Sequence, residues 1–286
     1  MDQYVTLNNG VKMPIHGVGV YQIPDDVTEQ NVLDALDAGY RLIDTAAIYL
    51  NEGAVGRALK RTSVPRDEIF VVTKLWVESY RDAKQAFSDC LERLQLDYVD
   101  LILLHMPYSA YHHAWADLED VYKEGKARAI GVSNFLPHHM ADLIAFSKVV
   151  PAVNQVECHA FSQRNDVMKY QKEYGITTMA WAPFAEGNNN MFKNETLLSI
   201  GKKYGKTAAQ VALRYQMQRG VIVIPKSVHK ERLVENRDVF DFSLTEEDMA
   251  AIAELDLGHP MLVNHMDTEF IKLIATFTLA SGENGE

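Results

Sequence analysis

The segment 69–105 decides the fold of this 286-residue chain. It begins with an apolar run at 69–74 (IFVVTK), continues with an amphipathic stretch at 80–94, and ends with a second apolar run at 101–105 (LILLH). The two runs have the length of strands, and the stretch between them repeats apolar residues at spacings of three and four, which is typical of a helix. A strand, a helix and a strand in this order predict a right-handed βαβ unit with parallel strands.

The same alternation extends along most of the chain. Further helical patterns cover 27–38 and 208–217. We count eight apolar runs of strand length, at 17–21, 41–44, 69–74, 101–105, 127–133, 152–157, 177–181 and 221–224. Eight strand-helix units in a chain of this length favour an α/β fold of the closed (β/α)₈, or TIM barrel, type. A doubly wound open sheet is the alternative.

Both ends of the chain depart from this rhythm. The start predicts a β-hairpin, with strands at 4–7 and 11–14 around the turn Asn8-Asn9-Gly10. The segment 258–286 contains apolar stretches at 261–263 and 270–279, which we expect to form a tail near the barrel mouth, and a polar end at 281–286, which we expect to fray. No linker rich in Pro, Gly or Ser interrupts the pattern, so we expect a single domain over 1–286.

The composition excludes several classes of function. Hydrophobic residues make up 47% of the chain and charged residues 23%, which is typical of a globular protein. The net charge of -11 argues against general binding to nucleic acid or anionic membrane. No apolar run has membrane-spanning length. The two cysteines and the absence of a leader pattern predict a cytoplasmic protein without disulfides.

Polar side chains stand at nearly every predicted strand end. In a barrel these ends converge on one mouth, where active sites form. The residues concerned are Tyr21, Asp44, Tyr49, Lys74, His105, Ser133, Asn134, Gln155, Trp181, Lys226 and Ser227. Each has an ordinary structural explanation when taken alone: Asp44 could cap a turn, and His105 could be a satisfied core group. Their combination at one mouth favours a catalytic site over a set of unrelated structural roles.

Four of these residues form a recognisable proton-donor set. A phenol has a pKa of about 10 and donates a proton poorly at neutral pH, but a neighbouring ammonium stabilises the phenolate. We therefore expect Lys74 to lower the pKa of Tyr49, Asp44 to keep Lys74 charged, and His105 to orient a carbonyl oxygen. None of these side chains is an evident nucleophile for the carbonyl carbon, so hydride from a cofactor is the natural complement.

Three motifs in order resemble those of the aldo-keto reductases. They are 39–46 (GYRLIDTA) followed by Tyr49, Asn51-Glu52 and Val55-Gly56; 128–135 (RAIGVSNF); and 224–227 (IPKS) followed by Arg232 and Asn236. The resemblance covers nearly the whole chain and is greatest to bacterial 2,5-diketogluconate and methylglyoxal reductases. It implies an NADP-dependent oxidoreductase that reduces aldehydes or ketones, with a small-molecule carbonyl substrate.

The resemblance also implies roles for single residues. Asp44, Tyr49, Lys74 and His105 would form the catalytic tetrad, with Tyr49 as the proton donor. Trp181 would stack on the nicotinamide, and its carboxamide would be held by Ser133, Asn134 and Gln155. The adenosine 2′-phosphate of NADPH and the adenine would be held by Lys226, Ser227, Arg232 and Asn236. On an acidic chain, the basic patch formed with Lys230 and Arg237 past the last strand independently favours a phosphate site there.

Two departures from the family pattern concern the substrate pocket. Relatives commonly carry Leu-His-Trp-Pro at the fourth strand, whereas this chain has Leu104-His105-Met106-Pro107, and Tyr21 stands where relatives commonly carry Trp. Tyr21 and Met106 are therefore candidate substrate-pocket residues, and they alter the aromatic wall expected there.

Two other functions stay open from the sequence. A metal-dependent barrel hydrolase is disfavoured, because no His-x-His stands at a strand end, and we expect no metal site. A regulatory protein that binds the cofactor with little turnover would keep the same fold, and the intact tetrad argues against it. We expect a monomer.

Overall fold

The computed structural model describes residues 3–279, and it confirms the (β/α)₈ barrel. A two-stranded antiparallel hairpin, β1 (Tyr4–Thr6) and β2 (Lys12–Pro14), precedes eight parallel strands. These are β3 (Val18–Gly19), β4 (Leu42–Asp44), β5 (Phe70–Leu75), β6 (Val99–Leu104), β7 (Ala127–Ser133), β8 (Val153–Glu157), β9 (Thr177–Trp181) and β10 (Ile222–Val223).

Helices surround the barrel. They are α1 (Asp25–Asp37), α2 (Glu52–Arg61), α3 (Ala83–Leu94), α4 (Tyr111–Lys123), α5 (Pro137–Phe146), α6 (Asn165–Glu173), α7 (Glu195–Tyr204), α8 (Ala208–Gln218), α9 (Lys230–Arg237), α10 (Glu246–Ala253) and α11 (Thr268–Ile274). The helix predicted at 80–94 begins later, because Val77–Asp82 forms a tighter 3₁₀ turn first. At α8, Thr207 and Gln210 form a reciprocal capping box that fixes the first turn.

The sheet closes between its first and last strands. Strand order runs without interruption from β10 to β3, and His16 then bridges to Val223 in parallel register. The Gly17 N–H donates to the Val223 carbonyl over 2.9 Å, and the Val223 N–H donates to Ile15 over 3.0 Å. A Cβ at Gly17 would lie 2.3 Å from Leu42 Cγ, so glycine is required at this junction. Closure excludes the doubly wound sheet.

Apolar side chains fill the barrel from the hairpin end upward. Leu7 and Met13 of the hairpin are 2% and 0% exposed, and they pack beneath a cluster that includes Leu42, Val72 and Met179. Burying a side chain of this size contributes about 2 kcal/mol relative to leaving it in water. The hairpin therefore seals the amino-terminal end of the barrel and leaves the carboxyl end free for polar groups.

The carboxyl-terminal segment lies at the barrel mouth, as predicted. The Tyr108 hydroxyl donates to the His265 carbonyl over 2.7 Å. Further along, Trp76 Nε1 donates to the Phe277 carbonyl over 2.8 Å, and the Leu279 N–H donates to Glu78. The segment thus reaches loops on two sides of the mouth. The end predicted to fray, 281–286, lies outside the described residues.

Candidate active site

A buried ion pair stands at the ends of β4 and β5. Lys74 Nζ lies 2.7 Å from Asp44 Oδ2 and also donates to the Thr45 carbonyl over 2.8 Å. Lys74 is 0% exposed and Asp44 is 2% exposed. Asp44 pairs in register with Val72, two residues before Lys74, so Asp44 and Lys74 lie on the same face of the sheet near the carboxyl ends of adjacent strands.

Tyr49 completes this group from the loop after β4. Its hydroxyl accepts a hydrogen bond from Lys74 Nζ over 3.2 Å, and the ammonium lies 4.7 Å from the centre of its ring. A short 3₁₀ helix, Ala47–Tyr49, positions the ring. The sequence prediction that Asp44, Lys74 and Tyr49 meet is therefore correct in geometry.

The electrostatics of Tyr49 differ from the sequence expectation. Burial, the negative charge of Asp44 and the neighbouring Tyr21 hold the pKa of the Tyr49 phenol well above its ordinary value. The prediction that Lys74 lowers this pKa is thus wrong for this structure, because desolvation of the phenolate and the Asp44 carboxylate oppose the ammonium. Tyr49 is consequently protonated at neutral pH.

Burial disfavours the charged form of both partners in this ion pair. Burial raises the pKa of Asp44 and lowers the pKa of Lys74, and each partner counteracts the shift of the other. The Gln155 side chain also donates to Asp44 Oδ1 over 2.8 Å. With the Thr45 carbonyl on the ammonium, both charged groups have the additional hydrogen bonds that a buried pair requires.

His105 lies beside Tyr49 at the end of β6. The two ring centres are 5.7 Å apart in an edge-to-face arrangement, and Trp76 packs edge-to-face on the other side at 5.1 Å. Burial and the Lys74 charge lower the pKa of His105 well below its usual value, so the imidazole is neutral. Its Nδ1 is buried and has no hydrogen-bond partner within residues 3–279. We call Asp44, Tyr49, Lys74 and His105 the proton-donor cluster.

The residues predicted to hold a carboxamide lie together at the ends of β7, β8 and β9. Asn134 accepts a hydrogen bond from Trp181 Nε1 over 2.8 Å and donates to the His105 carbonyl over 3.1 Å. Ser133 donates to the Gln155 carbonyl over 2.9 Å. All except Trp181, which is partly exposed, are buried. A network of polar groups with an indole ring thus borders the proton-donor cluster.

The two candidate pocket residues occupy different environments. Tyr21 is 48% exposed, and its ring centre lies 4.9 Å from that of Tyr49. Met106 is 8% exposed, and its sulfur lies 3.4 Å from Asn134 Nδ2. Tyr21 therefore forms an outer wall beside the proton-donor cluster, whereas Met106 lies behind the polar network.

The cations predicted to hold a phosphate lie past β10. Lys226 and Arg232 are exposed and have no ion pair or hydrogen bond from their side chains within the described chain. Ser227 and Asn236 are buried nearby, and Asn31 of α1 donates to the Ser227 carbonyl over 2.7 Å. We call Lys226 and Arg232 the cation cluster.

Two other members of the basic patch belong elsewhere. Lys230 forms an ion pair of 3.0 Å with Asp34. Arg237 turns away, donates to the Gly39 carbonyl over 3.3 Å, and stacks on Phe240 at 4.4 Å. The patch is therefore smaller than the sequence indicates, because neighbours on the helix α9 face different parts of the fold.

Glu157 at the end of β8 was not given a role by the sequence analysis. Its carboxylate accepts hydrogen bonds from the backbone N–H groups of Met261, Leu262 and Val263 over 2.6, 3.0 and 3.2 Å. Burial raises the pKa of Glu157, but the hydrogen bonds from His159 and these backbone groups lower it by more. The pKa of Glu157 therefore lies below its ordinary value. Its position at a strand end was the only sequence signal.

Two kinds of site are absent from the described residues. Residues 3–279 contain no cluster of three or more His, Cys, Asp or Glu side chains able to hold a metal ion. None of the helices in this range is long and apolar enough to cross a membrane.

Cys158 is buried, and burial raises its pKa to about 11, so its thiol is unreactive at neutral pH.

Comparison with known proteins places this site in context. The chain matches the model of the Aldo/keto reductase family over residues 16–257. It is 45% identical over 256 residues to the glyoxal reductase of Bacillus subtilis (strain 168), covering 88% of this chain and 92% of the relative. It is 41% identical over 257 residues to the methylglyoxal reductase DkgA of Escherichia coli (strain K12), covering 89% and 94%.

A solved structure supports the same relationship. The chain superimposes on the crystal structure of an aldo-keto reductase enzyme from a Medee basin deep-sea metagenome library with a TM-score of 0.89 at 42% sequence identity. The match covers 92% of this chain and 99% of that one.

Proposed function

The chain belongs to the aldo/keto reductase family, and from this membership we propose that it reduces small α-dicarbonyl compounds to hydroxycarbonyls with NADPH. Family membership makes it an oxidoreductase that acts on carbonyl groups with a nicotinamide cofactor. The NADPH preference, the substrate class and the residue roles below are the proposal. The observation that carries it is the contact of Tyr49 with the buried Lys74–Asp44 pair.

Tyr49 is the proton donor in this scheme. The cofactor, when bound, supplies a hydride to the carbonyl carbon. The Tyr49 hydroxyl gives its proton to the carbonyl oxygen, and the Lys74 ammonium at 3.2 Å stabilises the phenolate left behind. Asp44 keeps that ammonium charged and in place. The high pKa of Tyr49 means that the donor is fully protonated before the reaction.

His105 is the proposed orienting group for the carbonyl. The neutral imidazole has an N–H donor that can hydrogen-bond to the same oxygen that Tyr49 protonates. Trp76 and Tyr49 clamp the ring edge-to-face, which fixes its direction. Because the ring is neutral, it contributes orientation rather than the transferred proton.

The remaining roles follow the polar network. Trp181 offers an indole face for the nicotinamide, with its N–H held by Asn134. Ser133, Asn134 and Gln155 are the candidate partners of the carboxamide. The cation cluster supports NADPH over NADH, because Lys226 and Arg232 have no partner in residues 3–279 and a 2′-phosphate would supply one. Ser227 and Asn236 lie beside them.

The proposed substrate class rests on two points. Similar proteins are named glyoxal reductase and methylglyoxal reductase. In this chain Tyr21 lies beside Tyr49, and the Glu157 carboxylate holds the tail residue Met261 at the mouth. A small dicarbonyl fits such a mouth, and Tyr21 and Met106 are the proposed determinants of which one is preferred.

The test is NADPH oxidation with methylglyoxal, a 2,5-diketo acid and an aromatic aldehyde, repeated with NADH and with Tyr49→Phe. We expect NADPH to be preferred, and the variant to lose at least about a hundredfold in kcat while binding NADPH within a few fold of the native protein. Native-level reduction by Tyr49→Phe would contradict the proton-donor role. Tight NADPH binding without turnover on any carbonyl would favour a regulatory protein, which no present observation supports.

We further propose that residues 1–286 act as a single domain, as a monomer, in the cytoplasm. Size-exclusion chromatography with light scattering tests the monomer, because a dimer would elute at twice the 32.3 kDa chain mass. Cell fractionation tests the location.

A further inference from the structure

A second polar cavity lies at the opposite end of the barrel, and we propose that it binds a small oxyanion of the phosphate class. The cavity has a volume of about 240 Å³. His16, Arg41 and Arg237 provide its polar lining, and Tyr4 and Phe240 contribute aromatic walls. This site is separate from the reductase site and does not depend on the reductase proposal.

The cavity is far from the mouth in the fold. His16 precedes β3 and Arg41 precedes β4, so both lie at the amino-terminal ends of the strands. Asp44 and Lys74 stand at the carboxyl ends. The hairpin and the end of α9, which contributes Arg237, border the cavity.

The two guanidinium groups have donors to spare. Each arginine carries five N–H donors. Arg41 uses two, on the carbonyls of Leu36 and Tyr40, and Arg237 uses two, on the Gly39 carbonyl and Gln3 Oε1. Phe240 stacks under Arg237 at 4.4 Å and leaves the edge of the guanidinium free to face a ligand.

Within residues 3–279, no carboxylate lines the cavity beside these two arginines. The acidic group that approaches it is Glu68, which is 59% exposed at its side chain and lies 3.8 Å from Arg41 Nε. Burial, together with the Arg41 charge, lowers the pKa of Arg237, which remains cationic at neutral pH because a guanidinium titrates far above it. The cavity therefore has a net positive charge.

His16 adds an unsatisfied buried donor. It is 3% exposed, and neither Nδ1 nor Nε2 has a hydrogen-bond partner in the described chain. Burial and the Arg237 charge lower its pKa to about 3, so the ring is neutral and carries one N–H. An unpaired buried donor is costly, and an oxyanion that accepts from the single N–H of this ring would remove the cost of that donor.

The size and shape fit a phosphate group. A water molecule occupies about 30 Å³ in the liquid, so 240 Å³ accommodates an ion of five heavy atoms with several waters. Arginine forks match phosphate oxygens in pairs. The ion could be free or could be the phosphate of a larger molecule that extends out past Tyr4, which is 49% exposed.

The experiment is isothermal titration of the full-length protein with inorganic phosphate at constant ionic strength. We expect one phosphate in this cavity, at least tenfold weaker binding in Arg41→Gln, and about threefold weaker binding in His16→Leu, which removes the ring nitrogens but keeps an apolar side chain. Arg61→Gln is the matched control and should bind phosphate like the native protein, because Arg61 is paired with Glu29 and lies outside the cavity. Phosphate bound by the cation cluster is removed by repeating the titrations in an Arg232→Ala background, where the effects of both cavity variants should persist.

Three results would overturn the site: no binding at millimolar phosphate, binding unaffected by both cavity variants, or binding abolished by Arg232→Ala alone. Thermal melts of each variant establish folding, and Arg41→Lys replaces Arg41→Gln if the latter does not fold. A parallel titration with phenyl phosphate separates the sources. Tighter binding of phenyl phosphate than of inorganic phosphate would indicate a phosphorylated molecule as the ligand, and equal or weaker binding would indicate the free ion.

Discussion

The proton-donor cluster and the cation cluster are built in opposite ways. Lys74 is fully buried, paired with Asp44 at 2.7 Å and fixed by two further contacts. Lys226 and Arg232 are exposed, and their side chains have no partner in residues 3–279. One cluster is complete before any ligand arrives, whereas the other has charges left for a ligand to satisfy.

This difference shows which side chains the fold holds in fixed positions. Reacting groups need fixed geometry, because small displacements of a proton donor reduce rates strongly. Strand ends supply that rigidity. The phosphate contact proposed for the cation cluster needs charge and tolerates side-chain motion, so a loop and a helix after the last strand would suffice. Substitutions should therefore affect rate and stability in the first cluster, and cofactor affinity alone in the second.

The largest effect is expected for Lys74→Met. The variant leaves the Asp44 carboxylate buried without its cation, which should reduce the free energy of unfolding by about 3–5 kcal/mol. In the proposed mechanism Lys74 also stabilises the Tyr49 phenolate, so kcat should fall by about a hundredfold or more. Urea unfolding and steady-state rates measure the two effects.

Lys84→Met is the control for this variant. Lys84 forms an exposed ion pair with Asp120, and such pairs contribute little. A free energy of unfolding in Lys74→Met equal to that of the native protein would contradict the prediction that the buried Lys74–Asp44 pair contributes to stability.

An intermediate effect is expected for Glu157→Gln. The neutral amide accepts the backbone N–H groups of Met261 and Leu262 less strongly, and its own N–H group opposes one of them, so stability should fall by about 2 kcal/mol. Because the tail borders the mouth, KM for the carbonyl should rise several fold with little change in kcat.

The pH dependence sharpens this prediction. The pKa of Glu157 is lowered from 4.5 in the folded protein, so its stabilisation is present at neutral pH and is lost as the pH falls below 4.5. The fall in melting temperature between neutral pH and a pH below 4.5 should therefore be smaller in Glu157→Gln than in the native protein. Glu269→Gln, at an exposed pair with Lys272 in the same tail, should leave this fall in melting temperature unchanged.

The smallest effect is expected for Arg232→Ala. Removing one exposed cation should raise KM for NADPH about tenfold, leave KM for NADH unchanged, and leave the unfolding free energy unchanged. Lys230→Ala is the matched control on the same helix, because Lys230 is already paired with Asp34. Equal weakening of both cofactors by Arg232→Ala would rule out a role in binding the 2′-phosphate.

Much of the barrel could be read from local pattern. The strands predicted at 127–133 and 177–181 coincide with β7 and β9, because their apolar runs are long and clearly bounded. The runs at 17–21 and 221–224 shorten to Val18–Gly19 and Ile222–Val223. These strands form the junction where the sheet closes, and their flanking residues lie outside regular strand while keeping backbone hydrogen bonds across it, such as that from Gly17 to Val223.

The sequence by itself determined the alternation of strands and helices and the residue types at the strand ends, because both depend on local periodicity and chain order. Only the tertiary structure decided the raised pKa of Tyr49, since desolvation depends on which groups enclose the ring. It also decided the contact of Glu157 with Met261, 104 residues away, and the cavity that joins His16 to Arg237. Such contacts arise from barrel closure, which brings distant segments together without leaving a periodic signal in the chain.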